Sequence, residues 1–204
     1  ILIKAAEKWS PIYKKDRDGL KKVIKIEARL ERLLRRHFVN LAGNVDLIVN
    51  WHQYRLAVAR LQMADNFNVD VIVDEIPDEL DVNPLMEVLF NPISIMIESG
   101  LNTGETVYKV PIGITETNKL IQRAAKEKVA QLVGKKVDRD GLIVDNPNKK
   151  IAITETTRRA IRESIATSIS LKHDQKQATD DLVNIIKNRK RAEMIAQTEA
   201  VNAY

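Results

Sequence analysis

The chain has 204 residues, 44% of them hydrophobic, and a formal net charge of +5 from 33 basic and 28 acidic residues. This composition supplies a core and excludes a disordered chain, and the absence of cysteine excludes disulfides and thiolate metal sites. With only seven glycines and six prolines the chain favours helix over sheet, and no apolar run approaches the roughly 20 residues that cross a bilayer, so we expect a mainly α protein without a membrane partner.

The longest helical pattern covers residues 18–41, where apolar side chains recur at intervals of three and four. Lys21, Lys25, Arg35 and Arg36 accompany this pattern and are candidates for contact with DNA or an acidic partner. The competing interpretation is a solvated face whose aliphatic stems cover the edge of the core. No aromatic residues interleave with the basic ones, as a single-strand stacking platform would require.

A second helix is predicted for residues 45–63, after a stop at Gly43 and Asn44. Two long helices joined by so short a link pack antiparallel, so residues 1–65 are expected to form an N-terminal helical hairpin. Residues 66–82 are rich in aspartate and glutamate and are interpreted as an acidic linker. They lack the glycine-centred spacing of a calcium loop, so we assign no metal site.

Residues 83–204 are expected to form a second, helical domain. A helix begins near Pro84, restarts at Pro92 because proline breaks a continuous helix, and ends at Gly100. Another helix covers residues 115–133. Turn-forming residues then favour a short β-hairpin whose arms are residues 142–144 and 150–153.

The last fifty residues carry the most recognisable pattern. Hydroxyl side chains at 154, 156 and 157 precede a helix and are expected to accept bonds from its free N–H groups. Ile161, Ile165 and Ile169 lie on one face of that helix, and a polar break follows at residues 172–175. A further apolar pattern leads to the closing run of residues 191–199.

The C-terminal part of the chain thus contains, in order, a Thr-Thr-Arg helix, a polar turn, a second helix and an Arg-Ala-x-x-Ile-Ala-x-Thr-Glu run. This order resembles the phage Mu F-like minor head proteins, which share the MuF domain. The resemblance covers roughly residues 89–204. Gln197 stands where the family usually has arginine, and no glycine ends the Ile161 helix, which is typical of a diverged member. The residues that carry the resemblance are Thr156, Thr157, Arg158, Ile161, Arg191, Ala192, Ile195, Ala196, Thr198 and Glu199.

The resemblance implies a virion component that is not an enzyme and binds no cofactor or metal. Its partners would be the portal protein and the major capsid or scaffold proteins of a phage head, with contact to packaged DNA. It would assist head assembly, DNA packaging or ejection, in the host cytoplasm and then in the virion. Thr156, Thr157, Arg158, Arg191, Thr198 and Glu199 would bind a partner or brace the domain.

The residues themselves leave alternatives open. They show no phosphate-binding glycine loop, no metalloprotease motif and no grouping of the histidines at 37, 52 and 173, so the expected class is an assembly or contact protein. The runner-up is a basic helical module that binds nucleic acid. Because MuF-like domains often belong to longer chains, we also expect the sequence to continue, and a role as carrier for an attached enzyme or toxin stays open.

Overall fold

The computed structural model describes residues 17–61, 68–73, 76–109 and 114–203, and within them the protein is mainly α with one short β-hairpin, which confirms the predicted fold class. No helix in these ranges combines the length and the apolar character needed to span a membrane. The helices are α1 (Arg17–Ala42), α2 (Val45–Ile48), α3 (Trp51–Leu61), α4 (Val82–Tyr108), α5 (Ile114–Leu132), α6 (Ile153–Ser170), α7 (Gln175–Ile186) and α8 (Arg189–Ala203). A 3-10 turn lies at Val69–Val71, and the strands are β1 (Lys135–Val137) and β2 (Ile143–Asp145).

Helix α1 is the centre of the core. Its inward face buries Leu30, Leu34 and Phe38 almost completely, and the helix packs along α4 and α8. Each such side chain contributes on the order of 2 kcal/mol by leaving water. The predicted amphipathic helix is therefore confirmed, and it holds the outer helices in place.

Helix α4 does not break at Pro92 as predicted, and it also continues past Gly100. A proline inside a helix removes one backbone hydrogen bond and costs about 3 kcal/mol. Leu89, Ile93 and Met96 lie on the same face of α4 and are fully buried, and together they contribute about 6 kcal/mol only if the helix continues. Burial of that face outweighs the local penalty, so the prediction of two helices is wrong.

The second arm of the predicted N-terminal hairpin also differs from expectation. The chain leaves the helical path at Val49 and Asn50, where Val49 bridges Val73 and the Asn50 N–H donates to the Ile72 carbonyl at 2.8 Å. After this break, α3 packs against α6 and α7. A tertiary pairing with a distant segment thus replaces the continuous second arm.

The described part of the predicted acidic linker is partly packed into the core. Ile72, Val73 and Ile76 are buried in the same hydrophobic cluster as the helices on both sides. Asp74 and Glu75 lie outside the described residues. The division into domains at residues 65 and 83 stays a prediction.

The β-hairpin forms, but with a different first arm. β1 pairs antiparallel with β2, with Lys136 opposite Val144, so residues 135–137 take the place assigned to residues 150–153. Asp138 closes the connection by accepting from the N–H groups of Asp140 and Leu142. Gly134 starts the hairpin at a φ of 80°, which glycine adopts without strain. Because this turn follows α5 directly, residues 150–153 are left to begin α6.

Candidate functional site

The start of α6 is the base on which the candidate site is built, and its threonines do not cap it as expected. Ala152 occupies the N-cap position without a side-chain hydrogen bond. Thr156 and Thr157 instead place their hydroxyls 2.9 Å and 2.6 Å from the Ile153 carbonyl, and Thr154 donates to the Val133 carbonyl at 3.1 Å. Threonines inside a helix bond backward in this way, which leaves their oxygens free to accept from elsewhere.

Arg191, at the start of α8, supplies that donor. Its Nη2 lies 2.7 Å from the Thr157 hydroxyl and 3.0 Å from both the Thr156 hydroxyl and the Ile153 carbonyl. The guanidinium also lies over the ring of Phe38, 4.9 Å from its centre. Arg191 therefore ties α8 to α6 and to α1.

Burial lowers the pKa of Arg191 below its usual range, and the negative charge of Asp81 acts in the opposite direction. Arginine nevertheless stays charged at neutral pH, so the contacts with the three oxygens are charge-assisted. Removing the guanidinium would leave this junction without a donor of comparable strength.

The other end of the closing run is fixed by an ion pair. Glu199 is buried, and its Oε2 lies 3.0 Å from Nζ of Lys128 on α5, off the direction of a good hydrogen bond. Between the two ends, Ala192 and Ala196 are fully buried, and their small side chains let α8 approach the core closely. Arg191 and Glu199 thus anchor one helix on different neighbours.

Arg158 borders a polar cavity of about 320 Å³ between the start of α6, the hairpin and the segment before α4. Its Nη2 donates to the Ile76 carbonyl at 3.3 Å. In the same cavity Lys135 donates to Asp78 and Asp145 at 2.8 Å each, which raises the pKa of Lys135 and lowers the pKa of Asp145. With Lys149, three basic side chains and two acidic ones line this cavity, so most of its charge is offset within it.

Two polar contacts were not predicted. His37 Nε2 lies 3.0 Å from Asp81 Oδ1, with both side chains buried, and Asp81 belongs to the predicted acidic linker. The two residues are 44 positions apart, so no local signal pairs them. Their contact joins α1 to the start of α4.

The second unpredicted contact closes the turn between α6 and α7. Tyr54 donates its hydroxyl to the His173 carbonyl at 2.9 Å, and Asp181 lies 2.9 Å from His173 Nδ1 and accepts from Ser168 at 3.2 Å. Burial, with the negative charges of Asp181 and Asp174, raises the pKa of Tyr54 to about 12. The Ser168 hydroxyl is buried and donates to the carboxylate and not to the imidazole, so these three side chains do not have the order of a serine–histidine–aspartate triad.

The remaining predicted site residues lie on the surface. Thr198 is exposed. Lys21 pairs with Asp18, Arg35 pairs with Glu31, and Lys25 and Arg36 are exposed. The basic candidates therefore do not share the Arg191 junction. They lie on α1.

No three histidine, aspartate or glutamate side chains in the described ranges come together as a ligand set for a metal. Comparisons of the chain with models of protein families, with curated proteins and with solved structures gave no match.

Proposed function

We propose that the protein is a minor head protein of a tailed phage, of the Mu F-like class, and that it docks on the portal vertex or the procapsid interior through the outer side of its C-terminal helices. The proposal is carried by the closing run of residues 191–199, whose spacing resembles that class. In this role the chain assists head assembly, DNA packaging or ejection, and its location is the virion.

The division of labour within α8 supports a docking role. Arg191 and Glu199 turn inward and hold the helix against α6 and α5. Met194 and Val201 turn outward, 62% and 53% exposed, with Thr198 beside them. Residues seven apart lie on one side of a helix, so the three form an apolar and hydroxyl strip on a fixed support.

The outer side of α6 extends the candidate contact. Arg159, Glu163 and Thr167 follow one another at intervals of four and are exposed. Charges of both signs on a surface contribute more to the choice and orientation of a partner than to affinity. We therefore assign the energy of docking to the α8 strip and its specificity to α6.

The test compares two exposed apolar residues. Met194→Glu places a charge in the proposed docking strip, and Leu120→Glu places the same charge at an equally exposed position on α5, since Leu120 is 64% exposed. We expect Met194→Glu to lower incorporation into purified heads about tenfold or more, because charge at the centre of a contact costs more than 1.4 kcal/mol. Leu120→Glu should be incorporated like the unmodified protein.

Incorporation is measured by immunoblot of purified heads, and thermal melting checks that both variants fold. Crosslinking from position 198 should capture the portal or a capsid protein. Equal incorporation of both variants would contradict the proposed docking strip. Arg191 and Glu199 are poor test positions because their loss would weaken the fold itself.

A further inference from the structure

The outward side of α1 carries a continuous row of basic side chains, here called the basic stripe. Its members follow at intervals of three, four, three and four, and all are exposed. At 100° per residue they fall within an arc of about 80° and extend along about 21 Å of the helix. The basic stripe consists of Lys22, Lys25, Arg29, Arg32 and Arg36.

The charges of the stripe are not neutralised by their surroundings. Among the described residues, none of the five lies in an ion pair, and Arg32 only donates its Nε to the Ala28 carbonyl at 3.3 Å. Of the three acidic residues of α1, Glu31 pairs with Arg35, Asp18 pairs with Lys21, and Glu27 is half-buried near Glu193 of α8. Lys21 and Arg35 are therefore excluded from the stripe, although the sequence had made them candidates.

The stripe is also held on a rigid support. The opposite side of α1 buries Leu30, Leu34 and Leu41 against α4 and α8, so the helix cannot turn its basic side inward. A row of charges along one side of a packed helix presents its field along one line. Such a line suits a linear polyanion better than a small anion.

We propose that the basic stripe binds the phosphate backbone of duplex nucleic acid without reading its sequence. The stripe places a positive charge every 4.5 to 6 Å or so, by the rise of about 1.5 Å per residue. Each strand of a duplex carries a phosphate about every 3.4 Å along its axis, so a phosphate lies within reach of each long basic side chain. Contacts to phosphates give affinity and orientation but carry no base information.

Two observations favour a duplex over the other polyanions. No aromatic side chain of α1 is exposed, so the stripe offers no platform for stacking unpaired bases, which single-strand binders use. An acidic protein would need an apolar centre to the contact, whereas the large apolar side chain exposed on α1 is Val39, beyond the end of the stripe. This inference does not rest on the proposed head function.

The experiment measures binding of a labelled 20-base-pair duplex by fluorescence anisotropy between 50 and 200 mM salt. The test variant is Lys25→Gln/Arg29→Gln/Arg32→Gln. The matched control, Lys136→Gln/Arg139→Gln/Lys176→Gln, removes the same charge from exposed positions outside α1. Exposed substitutions of this kind change stability by only about 0.5 kcal/mol, so both variants should fold.

With five phosphates neutralised, the logarithm of the binding constant should fall against the logarithm of salt concentration with a slope of about −4.5. The stripe variant, with two charges left, should show a slope near about −2 and weaker binding at every salt concentration. The control should keep the slope of the unmodified protein.

Three outcomes would overturn the inference. Equal losses in both variants would mean that net charge, and not the stripe, attracts the duplex. Tighter binding of a single strand of 20 nucleotides would indicate stacking elsewhere. Poly-glutamate binding in place of duplex binding would assign the stripe to an acidic protein.

Discussion

Two arginines show how differently the two ends of this molecule use the same side chain. Arg191 at the α6–α8 junction is largely buried and reaches three oxygens, while Arg29 on the outside of α1 points into water with no described acidic partner. Both belong to basic runs that look alike along the sequence. The environment decides whether such a charge holds the protein together or faces a partner.

The comparison teaches that the most distinctive residues of a sequence motif need not lie on the surface that contacts a partner. Arg191 and Glu199 are the most distinctive residues of the closing run, and both are committed to internal contacts. The plainer residues between them, Met194 and Thr198, are the ones left exposed. A docking surface is therefore better sought beside the motif than on its charged members.

The largest expected effect tests the comparison directly. Arg191→Ala should lower the free energy of unfolding by about 3 kcal/mol, since it removes charge-assisted bonds and the contact with Phe38. Arg29→Ala should change it by less than about 0.5 kcal/mol, because its side chain is exposed. Urea unfolding followed by circular dichroism gives both values.

A matched substitution isolates the junction itself. Thr157→Val removes the hydroxyl that lies 2.7 Å from Arg191 and keeps the shape of the side chain. Combined with Arg191→Ala, it should cost less than the sum of the two single changes, as expected for residues in one network. Additive losses, or equal losses for Arg191 and Arg29, would remove the distinction between the two regions.

How far the sequence predicts this fold depends on the range of the interaction. The sequence predicts α1 because spacing alone places Leu30, Leu34 and Phe38 on one face of a helix. The start of α7 is also set by local contacts, since Asp174 and Gln177 form a capping box there. Such elements need no knowledge of the rest of the chain.

The errors come from contacts between distant residues. Pro92 breaks a helix by local rules, yet burial of its neighbours keeps α4 continuous. Arg191 contacts Thr157, which is 34 residues away in the sequence, and His37 contacts Asp81, which is 44 residues away. No periodicity encodes such pairs, so the sequence identified Arg191 and Glu199 and offered bracing as one of two roles, but it did not identify the residues that they contact.

A smaller expected effect on stability concerns Lys172, through its backbone conformation and not its charge. Helix α6 ends at Ser170, and Lys172 follows it at a φ of 56°. The N–H groups of Lys172 and His173 donate to the Ile169 and Ser168 carbonyls, respectively. This helix ending is usually made by glycine, and other residues pay roughly 1 kcal/mol for the left-handed backbone.

Lys172→Gly should therefore raise the free energy of unfolding by somewhat under 1 kcal/mol, since the relief of strain exceeds the entropy cost of a glycine in the unfolded chain. Lys25→Gly, in the middle of α1, should lower it by about 1 kcal/mol. Urea midpoints of the two variants measure the contrast. A loss of stability on Lys172→Gly would show that the lysine side chain contributes a contact of its own.

The smallest expected effect concerns Glu27, a residue of α1 that faces α8 and so lies between the two regions. Burial, followed by the charges of Glu31 and Glu193, raises the pKa of Glu27 above its usual 4.5. Between the unfolded and the folded pKa the unfolded state has already lost its proton, so the unfavourable contribution to stability grows as pH rises through this window. Below it both states are protonated and the contribution vanishes.

Glu27→Gln should therefore stabilise the protein at neutral pH by at most about 0.5 kcal/mol, because the side chain is only half-buried and its charge is screened by water. The gain should disappear as pH falls below the usual glutamate range. Glu31→Gln is the matched control and should be slightly destabilising, since it removes the partner of Arg35. Urea unfolding at several pH values measures these changes in stability. A gain from Glu27→Gln that persists at low pH would have another cause than the carboxylate. Glu193→Gln should reproduce part of the effect from the α8 side of the same contact.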